Sequence, residues 1–99
     1  MAALLFGLLA MGCGNTLYLV QINQAEENFQ EAKELGAERH APYEYYGAQA
    51  RIREAHRQAA QAEYGAASDL SDEASELANE AILKAKRVRQ TAVAPGDAR

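Results

Sequence analysis

The first 25 residues of the chain contain no Asp, Glu, Lys or Arg, whereas residues 26–90 are densely charged. A chain divided this way is written for two solvents. Its front segment prefers an apolar medium, and its remainder prefers water. Since the whole chain is only 99 residues, the charged part has room for one small domain with a modest core.

The run Ala2–Gly12 is 11 residues of Ala, Leu, Phe, Met and Gly. A helix needs roughly 20 apolar residues to span a bilayer, so this run is short for a span and suits the apolar region of an export signal. The run closes on Leu9, Ala10, Met11, Gly12 and Cys13, the last being the only cysteine of the chain. This pattern resembles the lipobox of bacterial lipoproteins. The resemblance implies cleavage between Gly12 and Cys13, a diacylglyceryl thioether and an N-acyl lipid on Cys13, and no other cofactor. Gly14 follows the cysteine where an Asp would direct retention in the inner membrane. By that resemblance the expected location is the periplasmic side of the outer membrane, with the inner membrane as the alternative. The sequence departs from the pattern in two places: no Lys or Arg precedes the apolar run, and Ala10 stands where Leu is commonest.

Two other readings of the same residues stay open. Extended through Leu17, Tyr18, Leu19, Val20 and Ile22, the run reaches 21 residues, long enough for an uncleaved membrane helix. Alternatively, Cys13 is a free or buried thiol in a soluble helix. A lone cysteine excludes an internal disulfide and any cysteine-paired zinc site.

Beyond the front segment the apolar spacing is helical, and the expected fold is all-α. A signal or anchor helix precedes amphipathic helices that form an antiparallel hairpin or a small three-helix bundle. Tyr18, Ile22, Ala25, Phe29, Ala32 and Gly36 alternate by fours and threes, the seam of an amphipathic or coiled-coil helix. Gly36 can end that helix, and Pro42 suits the first turn of the next. A second seam follows through Tyr45, Ala48, Ile52, Ala55, Ala59 and Ala62. Gly65 is the expected break, with Ser68 or Asp69 capping a third helix lined by Leu70, Ala74, Leu77, Ala81, Ala85 and Val88. The divisions are thus a signal peptide (1–12), a lipid-anchored segment with an amphipathic helix (13–41), an Ala-rich hairpin (42–90) and a flexible tail (91–99), in which Pro95-Gly96 opposes helix.

Residues 41–86 look like an uncharacterised domain of bacterial envelope lipoproteins with an A-P-Y-E start. The matching positions are Ala41, Pro42, Tyr43 and Glu44, then Glu63, Tyr64, Ala66 and Ala67. The resemblance implies an envelope location, beside relatives carrying peptidoglycan-binding domains of the outer-membrane-protein-A type. It implies no catalytic residue. The Glu63-Tyr64 turn is also similar to tetratricopeptide hairpins, but no second copy occurs at a 34-residue period.

Alanine accounts for 22 residues. Each buried alanine contributes only about 0.8 kcal/mol, so an isolated hairpin is marginal. More burial has to come from the first helix folding back, from a homo-oligomer, or from an envelope protein partner. Tyr43, Tyr45 and Tyr46 are the candidate partner-binding residues, with closure of a bundle end as the plainer explanation. His40 and His56 fit no H-E-x-x-H pattern, no metal site is expected, and no glycine-rich phosphate loop is present. The expectation is therefore no enzyme, and the net charge of -4 argues against nucleic acid. Three roles remain: a scaffold touching membrane and peptidoglycan, an adaptor of a larger envelope complex, or a small-ligand carrier with little room in its core.

Overall fold

A computed structural model describes the backbone of residues 2–97 and the side chains of residues 15–91. Four helices follow one another: α1 (Ala2–Glu34), α2 (Ala37–His40), α3 (Pro42–Ala60) and α4 (Tyr64–Asp97). No strand occurs among the described residues.

The first break is made by Gly36, whose φ of 79° is left-handed and favours a residue without a Cβ. Its amide donates to the Lys33 carbonyl at 3.1 Å and ends α1, while its carbonyl accepts from His40 and opens the single turn of α2. Pro42 is the first residue of α3, where a missing amide hydrogen costs nothing.

The second break differs from the sequence expectation. Gly65 lies inside the first turn of α4, and the reversal is made by Gln61, Ala62 and Glu63. The Glu63 amide donates to the Gln58 carbonyl at 2.8 Å, and the Ala62 amide to Ala59 at 2.9 Å, with Ala62 at a φ of 60°. These two bonds form a Schellman cap with alanine in the place usually held by glycine. Since the cap satisfies the end of α3 without using Gly65, α4 starts earlier than expected. Ser68 is accordingly buried within α4 rather than capping it, and Asp69 is exposed on the second turn. At its other end α4 runs to Asp97, past the Pro95-Gly96 pair expected to stop it. A proline in a last turn forfeits one backbone bond without needing to end the rod.

Contacts between named residues fix the topology. Arg51 meets Glu73 and Gly47 faces Leu77, so α3 and α4 are antiparallel. Tyr18 meets Tyr64, Gln21 meets Asp72 and Glu31 meets Lys86, so α1 runs parallel to α4. Tyr18 meets His56 and Phe29 stacks on Tyr45, so α1 is antiparallel to α3. The result is an up-down-up three-helix bundle, with the first helix supplying the extra burial that a two-helix hairpin lacks.

Among the described residues, eleven of the fifteen buried apolar side chains are alanines. Small side chains let the helices approach closely, and the energy is concentrated in a few larger groups. Toward the Gly36 end, Tyr45 and Ile82 pack with Phe29 and Leu35. Toward the Ala62 end, Tyr18 and Ile22 pack with Ile52, Tyr64 and Leu70. Burying each such side chain contributes about 1.5–3 kcal/mol, against about 0.8 for each alanine methyl. Between the two clusters lies a polar layer, in which Asn28 donates to Ser75 at 2.7 Å and accepts from Gln24, and Ser71 donates to the Ala67 carbonyl.

The seams read from the sequence face inward on α1 and on α3 as far as Ala59. On α4 the buried surface is wider than one seam and adds Ala67, Ser68, Ser71, Ala78 and Ile82, because this helix packs on both of the others. Val88, the last residue of the expected seam, is 39% exposed.

Candidate functional site

Gly12 and Cys13, with the expected cleavage between them, lie outside the residues with described side chains. Five positions beyond Cys13 stands Tyr18, the first buried residue among those described, with 5% of its surface exposed. Five residues reach at most about 18 Å even when fully extended, so whatever happens at Cys13 happens next to this end of the bundle.

Here α1 and α3 are joined by a chain of three side chains. The Tyr18 hydroxyl is 3.1 Å from His56 Nδ1, and His56 Nε2 is 2.8 Å from Glu26 Oε1. A carboxylate only accepts, so Nε2 carries the proton of neutral His56 and Nδ1 accepts from Tyr18, an assignment inferred from the partners. Burial, then the charge of Glu26 and then Tyr64, raise the Tyr18 phenol above its ordinary value of 10.0. Tyr64 completes the cluster, its ring centroid 6.1 Å from that of Tyr18. The order of groups resembles a nucleophile, a base and an orienting carboxylate. With Tyr18 enclosed between helices, however, what the arrangement does is tie α1 to α3 through directed hydrogen bonds.

Three aliphatic side chains flank Tyr18 along α1 on the exposed side of the helix. Leu17, Leu19 and Val20 are 56%, 47% and 63% exposed. Residues 15–25 of α1 and 58–68 across the α3–α4 turn carry one formal charge between them, that of Glu63, while Glu26, Arg57, Asp69 and Asp72 stand near the level at which Tyr18 meets His56 and Gln21 meets Asp72. At the opposite end stand Lys33, Glu34, Glu38, Arg39, Lys84, Lys86, Arg87 and Arg89.

That far end holds the three tyrosines singled out in the sequence, and they do not share one face. Tyr45 is buried at 4% exposure, stacked on Phe29 with ring centroids 4.7 Å apart and edge-on to Tyr46. Half-exposed Tyr46 donates to Glu38 Oε1 at 2.8 Å. Tyr43 is 81% exposed. Beside them buried Glu44 is paired with Lys84 of α4, and the hydrogen bond from Lys84 holds its carboxyl below the ordinary range, burial opposing.

In the sequence His56 stands among Arg53 and Arg57, residues of a solvated helix face. The ring is indeed partly exposed, but its two nitrogens bridge to α1. The signal was indirect: once α1 and α3 are antiparallel, Tyr18 and residue 56 fall at one level. Glu44 was noted only as part of the A-P-Y-E start, and nothing local marks it for burial.

Among the described residues, no group of three or more His, Cys, Asp or Glu side chains is placed to hold a metal, and no helix is long and apolar enough to cross a membrane. Compared with known proteins, the chain matches no family model, no curated protein and no solved structure at a significant level. The A-P-Y-E resemblance stands on the residues quoted for it alone.

Proposed function

We propose that the chain is a bacterial envelope lipoprotein, anchored by lipid on Cys13, whose three-helix bundle is a non-catalytic scaffold module on the periplasmic side of the outer membrane. The observation that carries the reading is the junction itself. A charge-free apolar run ends in Leu-Ala-Met-Gly-Cys, and Tyr18, the first buried residue among those described, follows only five residues on. Two or three acyl chains at such a site give durable attachment, where a single chain gives only reversible binding. The bundle presents its densely charged end, α2 and the basic stretch from Lys84 to Arg89, away from that anchor, toward wall or protein partners. Peptidoglycan association and self-association both belong to this proposal.

A second reading has its own support. The exposed Leu17, Leu19 and Val20 continue the apolar run as far as Val20, which favours an uncleaved membrane helix holding an adaptor or assembly factor in the inner membrane.

Replacement of the thiol separates them. Cys13→Ser moves a lipoprotein out of its normal membrane fraction or leaves it as the uncut precursor, whereas an adaptor held by its own helix keeps its fraction and its size. Pull-down on purified cell wall then tests the scaffold role: retention supports it, and co-purification with one defined complex without wall retention replaces it with the adaptor.

A further inference from the structure

We propose that two copies of the chain pair through the outer face of α3, antiparallel about a two-fold axis at Ala50, with the tyrosines of each copy set against the arginines of the other. This deepens the self-association included in the functional reading by naming its surface and its symmetry.

Spacing defines the face. Tyr43, Tyr46, Ala50, Arg53, Arg57 and Ala60 recur at intervals of three and four along α3, and all six are exposed. Residues so spaced form one continuous stripe on a helix. The other side of α3, through Tyr45, Ala48 and Ala55, is the one buried in the bundle. The helix thus carries two seams, of which the bundle fills one.

Composition sets the outer seam apart from an ordinary solvated face, since tyrosine and arginine are the residue types that most often carry the energy of protein interfaces. Tyr43 is 81% exposed. Tyr46 is held in place at the surface by its hydrogen bond to Glu38 and its edge contact with Tyr45. Arg53 makes no ion pair among the described residues, and Arg57 is held at 3.1 Å by Glu54 of its own helix. That contact uses a guanidinium edge and leaves the planar face for a ring.

Symmetry selects the occupant. The tyrosines occupy one half of the stripe and the arginines the other, with a small residue between them. Tyr43 and Arg57 are each seven residues from Ala50, while Tyr46 is four and Arg53 three. Laid antiparallel on its own copy at Ala50, the stripe sets each Tyr43 level with Arg57 of the second copy, about 10 Å from the axis on both sides. Tyr46 falls beside Arg53 in the same way, and Ala50 lets the backbones approach at the centre. A parallel copy would instead set arginine on arginine. Self-complementarity of this kind is what a two-fold interface requires of a single patch.

One helix face is smaller than the roughly 800 Å² per partner of a standard interface, so pairing depends on the anchor concentrating the chain at one surface. The bond from Tyr18 to His56 puts the anchored end six residues from Ala50. The two such ends are then only about 18 Å apart along the pair, and both reach one bilayer with the rods lying along it.

The test is oxidative cross-linking of the full chain in its native membranes. Ala50→Cys should give a disulfide-linked dimer, in clear excess over Glu76→Cys on the outer face of α4. In the Ala50→Cys chain, Tyr43→Ala or Arg57→Ala removes both symmetry-related stacking pairs and should weaken pairing about tenfold. Tyr43→Arg should abolish the dimer, and Tyr43→Arg combined with Arg57→Tyr should restore it, because each position again faces its counterpart. Equal yields at positions 50 and 76 overturn the pairing, as does a dimer indifferent to Tyr43→Arg. Failure of the exchanged pair to restore the dimer, with circular dichroism showing a folded bundle, overturns it too. The parent chain controls for the anchor, since its one thiol is Cys13. A dimer from the parent would show an unmodified Cys13 and remove the lipid anchor, and the pairing is then read in a Cys13→Ser background.

Discussion

The amide of Glu63 donates to the carbonyl of Gln58 across 2.8 Å, and the residue between the two helices at that point, Ala62, has a left-handed φ of 60°. A Cβ in that region costs about 1 kcal/mol, which glycine does not incur. Ala62→Gly should therefore raise unfolding stability by up to about 1 kcal/mol, because the cap bonds remain and the strain goes. Gly36→Ala, at φ 79°, should lower it by a similar or larger amount. Urea denaturation of the two variants checks the pair, and both shifting the same way would contradict the assignment.

Tyr18, His56 and Glu26 act as one unit across α1 and α3, so their removal should be non-additive. Tyr18→Phe and His56→Ala should each cost about 1 kcal/mol, and the double variant should cost less than the sum. Tyr18 also shapes the alkaline limit. Its folded pKa is raised, so its contribution is complete below 10.0 and is lost as pH rises through the higher folded value. Tyr18→Phe should flatten the alkaline part of the stability profile and leave the neutral part shifted but parallel.

Glu44 and Lys84 are unequal partners, one buried and one half exposed. Glu44→Gln leaves an ammonium that can hydrate and should cost about 1 kcal/mol, whereas Lys84→Met leaves a buried carboxylate unpaired and should cost about 2–3 kcal/mol. The Glu44 carboxyl is held below 4.5, so its contribution is complete above that pH and is lost as pH falls through the lower folded value. Thermal unfolding from pH 3 to 7 should show this acid loss in the parent and a reduced one in Glu44→Gln.

The three tyrosines should divide sharply. Tyr45→Ala empties the space against Phe29 and should cost about 3–5 kcal/mol, enough to unfold a small alanine-rich bundle. Tyr43→Ala should change stability by less than about 0.5 kcal/mol. A Tyr43→Ala variant that folds and loses a partner identified by pull-down would assign recognition to that single exposed ring.

Much of the fold was legible because apolar spacing reports a helical face directly. Tyr18, Ile22, Ala25 and Ala32 could be read as one seam, and Gly36 and Pro42 as punctuation, from local chemistry alone. The α3–α4 turn misled because glycine is the usual left-handed residue, and here alanine takes that conformation one position before Glu63 while Gly65 is spent inside a helix. The width of the buried face on α4 was hidden for another reason. Ser68, Ser71 and Ala78 look like ordinary surface or spacer residues until a helix is known to have two neighbours. The His56 bridge and the buried Glu44 are tertiary in the same sense, since each depends on a partner 30 or more residues away.

Anchoring at Cys13 has the shortest path to a decision. Mass measurement of the protein extracted from its native membrane should give an N-terminal residue Cys13 carrying a diacylglyceryl group and an N-linked acyl chain. A mass that retains Met1–Gly12 and carries an unmodified Cys13 would contradict it.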